Sequence, residues 1–462
     1  MPDPFSLLPL AIAAHGGRID EFDAQQLVAA GVTLLQRSAP LVRALTAKRS
    51  AILLPTTPAF FVALAASEGR GAVLINPLAS RHEAAHCVDD ANVGAVFTNA
   101  ALAPLLPPNL PRVLLDDAPR SATFSSPDVQ RTIDLGSHQG LAIEGDTDVA
   151  GSDDEAAIVY TSAMRGTPLG AILSHRSLLS NARATIVAGE LTDADVALAL
   201  LPFSHLFGLT VSANAPLLAG ARVITMPRFN PGRAAERIAA GEITAVIGVP
   251  AVFRALLAAL ERLGRGAGAL RLAICGGSPL STSLQERWSN ATEVELRQGY
   301  GLTEAGPVCL FNAVDRPNAR GTLGRPFPGV DVRIDDGEIC VRGDNLFSGY
   351  VSHGDAGLFV QDGWLHTGDR GRMNADGTVT FEGVIKPMFT RNGFNIYPAE
   401  IERAVRELAG VDAAIATATP TDEDREPEIT LEVRGSVTEM AVRQWCSERL
   451  SLYRQPTFVR VL

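Results

Sequence analysis

Hydroxyls, glycines and carboxylates recur along this sequence directly after short apolar runs, a placement suited to holding phosphate and sugar groups. In AIVYTSAMRGTPLGAILS, Ala157 to Ser174, Thr161 and Ser162 follow the strand-like run Ile158, Val159, Tyr160. Gly166 and Gly170 let backbone N–H groups approach an anion, and a helix start is expected at the far end. Taken alone, the segment reads equally well as a connecting loop, because the GxxxxGK[ST] pattern is absent. Further on, LRLAICGGSPLS sets Gly276, Gly277, Ser278 and Pro279 after an apolar strand. A glycine pair there either lets a flat purine lie against backbone or simply turns the chain. In LRQGYGLTEAG, residues 296 to 306, Tyr300 offers a ring for stacking, Thr303 a hydroxyl, and Glu304 a carboxylate able to hold Mg2+. Asp369, on the Gly-flanked turn of DGWLHTGDRG, is suited to accept bonds from two ribose hydroxyls, or is an exposed turn residue. His205, in LPFSHLFG, is expected at a strand end and is by itself as readily a partly buried structural histidine.

In this order and spacing the segments resemble the adenylate-forming superfamily of acyl-CoA synthetases, nonribosomal-peptide adenylation domains and luciferases. Its phosphate loop has the form YTSGTTGxPKG, matched here by Tyr160, Thr161, Ser162, Gly166, Pro168 and Gly170. LPFSHLFG is similar to LPxxHxxG, GGSP to the adenine-contacting GGxP, and YGLTE and GWLHTGD are intact; GTLGRPFPGVDVRI, residues 321 to 334, extends the match. The resemblance implies ATP and Mg2+, with Glu304 on the metal and Asp369 on ribose. It implies nucleotide contacts from Thr161, Ser162, Arg165, Gly166, Gly276, Gly277, Ser278, Pro279, Gln298, Gly299, Tyr300, Gly301 and Thr303. His205 is implied to line the acyl pocket and to change position with the catalytic state, and Thr303 and Glu304 to act in catalysis. GVIKPMFTRNGFNIYPAEIE, residues 383 to 402, is similar to GRxKDxIxxxGxxIxPxEIE. That similarity implies a hinge at 384–387 between a core, 1–383, and a small domain, 388–462, with Gly393 lining a tunnel for a CoA or carrier-protein thiol.

Several positions depart from the pattern. Ala163, Met164 and Arg165 replace a Gly and two threonines, Leu169 replaces a lysine, Val384 replaces an arginine, and Pro387 follows Lys386 in the hinge. The lysine that the family places near the end of its small domain has no counterpart before Leu462. Each lost cation removes a fixed charge from developing phosphate charge, on the order of 3 kcal/mol per contact, which Arg165 partly compensates. Two classes stay open: an acid–thiol ligase impaired in adenylation, or a protein that binds acyl and nucleotide groups without turnover. A protein running only the thioester half-reaction would reconcile both. GLTVSANAPLLAG, after His205, carries no acid to hold a substrate ammonium, so the expected substrate is a non-amino carboxylic acid.

The elements that must position these groups alternate. Phe22 to Thr46 has helical spacing, Ala51 to Leu54 is strand-like, Ala59 to Ala66 helical, Ala72 to Asn76 strand-like, His82 to Asp90 helical and Ala95 to Thr98 strand-like. Such alternation predicts parallel sheets with helical crossovers. Residues 101 to 150 are Pro-, Asp- and Ser-rich and read as a surface connection, while Glu338 to Phe381 reads as β-rich. The expected fold is α/β: a large core of doubly wound parallel sheets plus a β-rich subdomain, then a small α+β domain.

At 462 residues the chain exceeds one core. A net charge of -11, without Lys/Arg runs, excludes a nucleic-acid partner. No stretch of about 18 apolar residues suggests a membrane span, and the first residues, MPDPFSLLPLAIAAHGGRID, lack the basic segment of a secretory signal, so a cytoplasmic protein is expected. Five cysteines without a CxxC pair imply buried thiols rather than a zinc site or disulfides.

Overall fold

The computed structural model describes residues 8–46, 48–67, 71–136, 151–161, 168–352, 360–385, 388–419 and 426–462. Among these, two nine-stranded sheets form the core. In one, the strands Arg18–Ile19, Arg222–Thr225, Val196–Ala199, Ala245–Gly248, Leu272–Cys275 and Leu296–Gly301 run parallel in that spatial order. Three of them, AVIG, LAIC and most of VALA, are buried along their length, so their sequences are continuous apolar runs instead of alternating ones. The second sheet is built around parallel Glu155–Thr161, Ala72–Leu74, Arg49–Leu53, Val93–Thr98 and Arg112–Leu115.

In parallel α/β sheets, ligands bind beyond the carboxyl ends of the strands, where backbone N–H groups and loop side chains are left open. Here the segments beyond Ala199, Cys275 and Gly301 in the first sheet, and the segment beyond Leu74 together with Thr161 in the second, border one cavity. The helices behind the first sheet fix those carboxyl ends. Pro250–Leu263 starts with its proline in the first turn and stops at Gly264 in the left-handed conformation (φ 60°). It packs on Thr282–Thr292 through Phe253 and Trp288, whose rings meet edge-on at 4.9 Å.

The β-rich part is the antiparallel sheet Val330–Asp335, Glu338–Gly343, Trp364–Met373 and Val360–Gln361, with Val379–Val384 also paired to Trp364–Met373. After it come the hairpin Phe389–Arg391/Phe394–Ile396, and three strands, Val411–Thr419, Glu428–Gly435 and Phe458–Val461, covered by Pro398–Arg406 and Glu439–Arg449. This last part has its own apolar cluster, including Ile396, Ile401, Leu431 and Val442. The expected α/β class with parallel sheets, a β-rich part and small α+β part is the fold observed.

Three local expectations need correction, and one holds with an addition: the helix expected at the far end of the phosphate-loop segment begins at His175 with Ser174 as its cap, but Leu169–Ser174 before it is a strand antiparallel to Glu155–Thr161. Ser174 was a legible cap, but LGAIL is as compatible with a helix turn as with a strand until its cross-strand partners are known. Within the supposed surface connection, Arg112–Leu115, Ser121–Ser125 and Gln130–Asp134 extend the second sheet, and prolines between them masked the pattern; 137–150 lie outside the described residues. Phe22 to Thr46 is broken, with Phe22–Asp23 in a sheet and helices Ala24–Arg37 and Ala39–Leu45 parting at Ser38, which caps the second. His205 is not at a strand end. Its strand stops at Ala199, and the histidine precedes a wholly buried π-helix, Phe207–Asn214.

Because Trp288 is fully buried between the helices that support two ligand-facing strands, Trp288→Ala should cost about 3–5 kcal/mol in equilibrium urea unfolding. A loss under about 1 kcal/mol would show that this contact does not hold the sheet.

Candidate active site

The cavity at the sheets' carboxyl edges has a volume of about 1100 Å³. Thr161, His205, Gly276, Gly277, Ser278 and Pro279 border it, together with Gln298, Gly299, Tyr300, Gly301, Thr303, Glu304, Asp369 and Gly393. The remaining sequence candidates, Ser162, Arg165 and Gly166, lie outside the described residues.

Glu304 sits in the short turn Thr303–Ala305 after the strand Leu296–Gly301. The turn is fixed by its backbone: Phe347 N–H donates to the Glu304 carbonyl at 2.9 Å, and Asn345 Nδ2 donates to Ala305 O at 2.7 Å. Gly301 is obligatory here, since a Cβ would stand 1.8 Å from the Pro307 carbonyl oxygen. On the side chain, Thr161 Oγ1 donates to Glu304 Oε1 at 3.2 Å and Tyr350 OH donates to the same oxygen at 2.8 Å. Among the described residues no hydrogen bond is recorded to Oε2. A carboxylate anchored through one oxygen, bordering an open cavity, fits a hard cation that takes one or two carboxylate oxygens.

Asp369 makes two of the three bonds that hold its turn. Tyr300 OH donates to Asp369 Oδ2 at 2.8 Å, Asp369 N–H donates to Thr367 Oγ1 at 3.2 Å, and Gly368 N–H donates to Glu338 Oε1 at 2.7 Å. Burial, and then the Asp369 charge, pushes the Tyr300 phenol well above its ordinary pKa, so it remains a donor. Tyr300 is therefore already engaged through its hydroxyl, while its ring still borders the cavity.

His205 accepts from Phe207 N–H on Nδ1 at 3.2 Å, and its ring meets Phe394 edge-on at 5.9 Å. Desolvation lowers its pKa to about 4. An imidazole accepting on Nδ1 must carry its proton on Nε2, so the histidine stands neutral with one donor to offer. Phe394 belongs to the hairpin whose two-residue turn, Asn392 and Gly393 (φ 53° and 80°), is the Asn-Gly type favoured by strand twist. This tip docks on the core. A Cβ on Gly393 would lie 2.5 Å from Val249 Cγ1, and Glu426 receives both Asn392 N–H and Arg254, each at 2.8 Å.

The two positions where cations were missed are now placed. Leu169 is paired through its backbone with Thr161, and Val384 with Asp369, and both side chains border the cavity. Arg454 is the one Lys or Arg among the described residues that line it. It is buried and paired with Glu83 at 2.6 Å and Glu400 at 3.4 Å. Sequence reading missed Arg454, Glu83 and Tyr350. An isolated Tyr or Arg carries no local signal, and these act through partners 46 and 371 residues away.

A profile of the AMP-binding enzyme family matches residues 39–351. The 3-[(3aS,4S,7aS)-7a-methyl-1,5-dioxo-octahydro-1H-inden-4-yl]propanoyl:CoA ligase of Rhodococcus jostii (strain RHA1) is 33% identical over 316 residues, 67% of this chain and 61% of that protein. A long-chain-fatty-acid–CoA ligase of Escherichia coli O157:H7 is 32% identical over 326 residues, 66% and 58% respectively. The chain thus spans about three fifths of the length of these relatives. A solved malonyl-CoA ligase, in ternary product complex with methylmalonyl-CoA and AMP, aligns with TM-score 0.75 at 27% identity, covering 97% of this chain and 95% of that one. No described helix is long and apolar enough to cross a membrane.

With an imidazole near pKa 4, His205 is neutral from about pH 5 upward. Its folded value lies below the ordinary 6.5, so the stability tied to the neutral ring is present above about 6.5 and is lost as pH falls toward 4. Titration of the His205 ring by NMR should therefore give a midpoint below about 5. A midpoint near 6.5 would contradict the desolvated setting.

Proposed function

We propose, because this chain belongs to the AMP-binding enzyme family, that it binds ATP and a carboxylic acid without an amino group in the cavity described above and activates the acid for transfer to a thiol. One observation carries this reading: the carboxyl ends of both core sheets bring Thr161, Tyr300, Glu304 and the Gly276–Pro279 turn to one cavity, to which the β-rich sheet adds Asp369. A carboxylate oxygen of the acid attacks the α-phosphorus, the bond to the bridging oxygen breaks, and pyrophosphate leaves with that oxygen. The acyl carbon is then open to a thiolate, and AMP departs.

In this reading Asp369 accepts the ribose hydroxyls, positioned by Tyr300 and Thr367. The backbone of Gly276 and Gly277, at the end of a buried strand, leaves a flat face for adenine. Glu304 would hold Mg2+, which when bound supplies charge neutralisation at the phosphates. Thr161 and Tyr350 orient that carboxylate, and Ser162, Arg165 and Gly166 complete the phosphate loop. Phe207, Val211, Val308 and Phe311 give the acyl side apolar walls with no carboxylate among them, which disfavours an ammonium substrate. Neutral His205 and Gly393 stand together where the hairpin meets the core, a geometry for passing a thiol toward the acyl carbon. The thiol would be that of CoA or a carrier protein. We divide the chain at 384–387, with 1–383 as the core and 388–462 as the smaller part, because the latter keeps a separate apolar cluster.

A second reading, binding or the thioester half-reaction without efficient adenylation, is favoured by Leu169 and Val384 bordering the cavity where cations would meet phosphate. Both readings require the nucleotide site. Asp369→Ala should weaken AMP and Mg·ATP alike, whereas Glu304→Gln should weaken chiefly Mg·ATP, as read by calorimetric titration. Mg·ATP binding by Asp369→Ala equal to that of the parent would sink the ribose assignment.

Leu169→Lys separates the two readings. An ammonium beside Pro168 would stabilise the departing pyrophosphate, and turnover should rise roughly tenfold, about 1.4 kcal/mol, because Val384 leaves other charge unmet. Pyrophosphate release with one acid and saturating Mg·ATP measures it. An unchanged rate in a folded variant that binds ATP would favour the binding reading.

A further inference from the structure

The β-rich sheet holds a cluster, Asp335, Cys340 and His366, to which the nucleotide reading gives no role, although His366 also borders the cavity. Cys340, on Glu338–Gly343, stands directly opposite His366, on Trp364–Met373, in the antiparallel ladder. Opposed residues present their side chains on the same face, and residues two apart on one strand do likewise, so Glu338 joins them. Asp335, at the end of the neighbouring strand Val330–Asp335, reaches the same place across the tight turn through Asp336 and Gly337 (φ 47° and 80°). Ile339 and Val341, on either side of Cys340, belong to the main apolar cluster.

The separations are those of a coordination sphere. Cys340 Sγ lies 3.5 Å from His366 Nδ1, and one ligand atom from each of Asp335, Cys340 and His366 falls within 4.8 Å of the others. A tetrahedral ion with Zn–S of about 2.3 Å and Zn–N of about 2.0–2.1 Å requires a sulfur–nitrogen edge of about 3.6 Å. Glu338 Oε2 lies 2.9 Å from His366 Nδ1, while its other oxygen is committed to Gly368 N–H. Cys340 is fully buried and Asp335 exposed, so an ion would enter from the Asp335 side. Arg333, directly opposite Cys340 on the neighbouring strand, is bonded to Asp335 Oδ2 at 2.9 Å and lies over the Trp364 ring at 4.5 Å, as does Arg342.

We propose that Asp335, Cys340 and His366 form a binding site for a borderline-soft divalent cation of the Zn2+ class, with solvent in the fourth position. One thiolate, one imidazole and one carboxylate are a donor set that selects zinc over magnesium or calcium. The site joins three strands of the sheet. Glu338 connects it to the turn bearing Asp369, so occupancy would brace that turn.

The full chain, stripped of metal under reducing conditions, is titrated with Co2+ and then with Zn2+. One equivalent of Co2+ should give a thiolate-to-metal absorption band that Zn2+ removes, and Zn2+ should raise the thermal midpoint. Cys340→Ser should abolish the band, and His366→Gln and Asp335→Asn should weaken Zn2+ binding roughly tenfold or more. Absence of the band, or its persistence in Cys340→Ser, overturns the proposal. If Cys340→Ser does not fold, Zn2+ affinity of Asp335→Asn equal to that of the parent overturns it as well.

Discussion

One carboxylate oxygen, Glu304 Oε1, ties together the parts of the chain on which the cavity depends. It accepts from Thr161, at the carboxyl end of a strand in the second sheet, and from Tyr350, in the strand Gly349–Tyr350 at that sheet's edge. Glu304 itself follows a strand of the first sheet. Two sheets with separate hydrogen-bond ladders are thus joined at one acceptor. A buried hydroxyl left without its acceptor costs about 1–3 kcal/mol, so the carboxylate fixes the spacing of the walls whether or not a cation is bound. Gly301, crowded against Pro307, makes the turn that brings Glu304 there possible.

A second set of contacts closes the cavity from the other side. The hairpin tip at Asn392 and Gly393 rests on Val249 and Gly277, while Tyr453 stacks on Phe394 at 4.1 Å. Beside it, Arg454 joins Glu83 on the helix Arg81–Asp90 to Glu400 on the helix Pro398–Arg406. Breaking such a buried pair by removing one partner leaves an uncompensated charge. The contacts from the smaller part therefore reach the cavity as a specific arrangement of an aromatic stack, a glycine turn and an ion triad. The side chain of Arg454 is committed to carboxylates, which places its charge in structure.

Much of this was legible in the sequence, for identifiable reasons. Strands buried on both faces read as unbroken apolar runs, so LAIC and the glycines after it announced a strand and the kind of loops found at such carboxyl ends. Those loops are where Gly276, Tyr300, Glu304 and His205 were sought, and all four border the cavity. What was not legible depends on distant partners. The strand Leu169–Ser174 is defined by its pairing with Glu155–Thr161 and Gly349–Tyr350, and its short sequence does not distinguish strand from helix. Tyr350 and Arg454 acquire meaning from Glu304 and Glu83, and Cys340 and His366 become neighbours through ladder register, which spacing along the chain does not reveal.

The joined cavity is proposed to adenylate an acid without an amino group. ATP–pyrophosphate exchange across a panel of aliphatic, aromatic and amino acids tests this. Mg2+-dependent exchange above background is expected with at least one non-amino acid and none with amino acids. Absence of exchange with every acid, in a protein that still binds ATP, would contradict it.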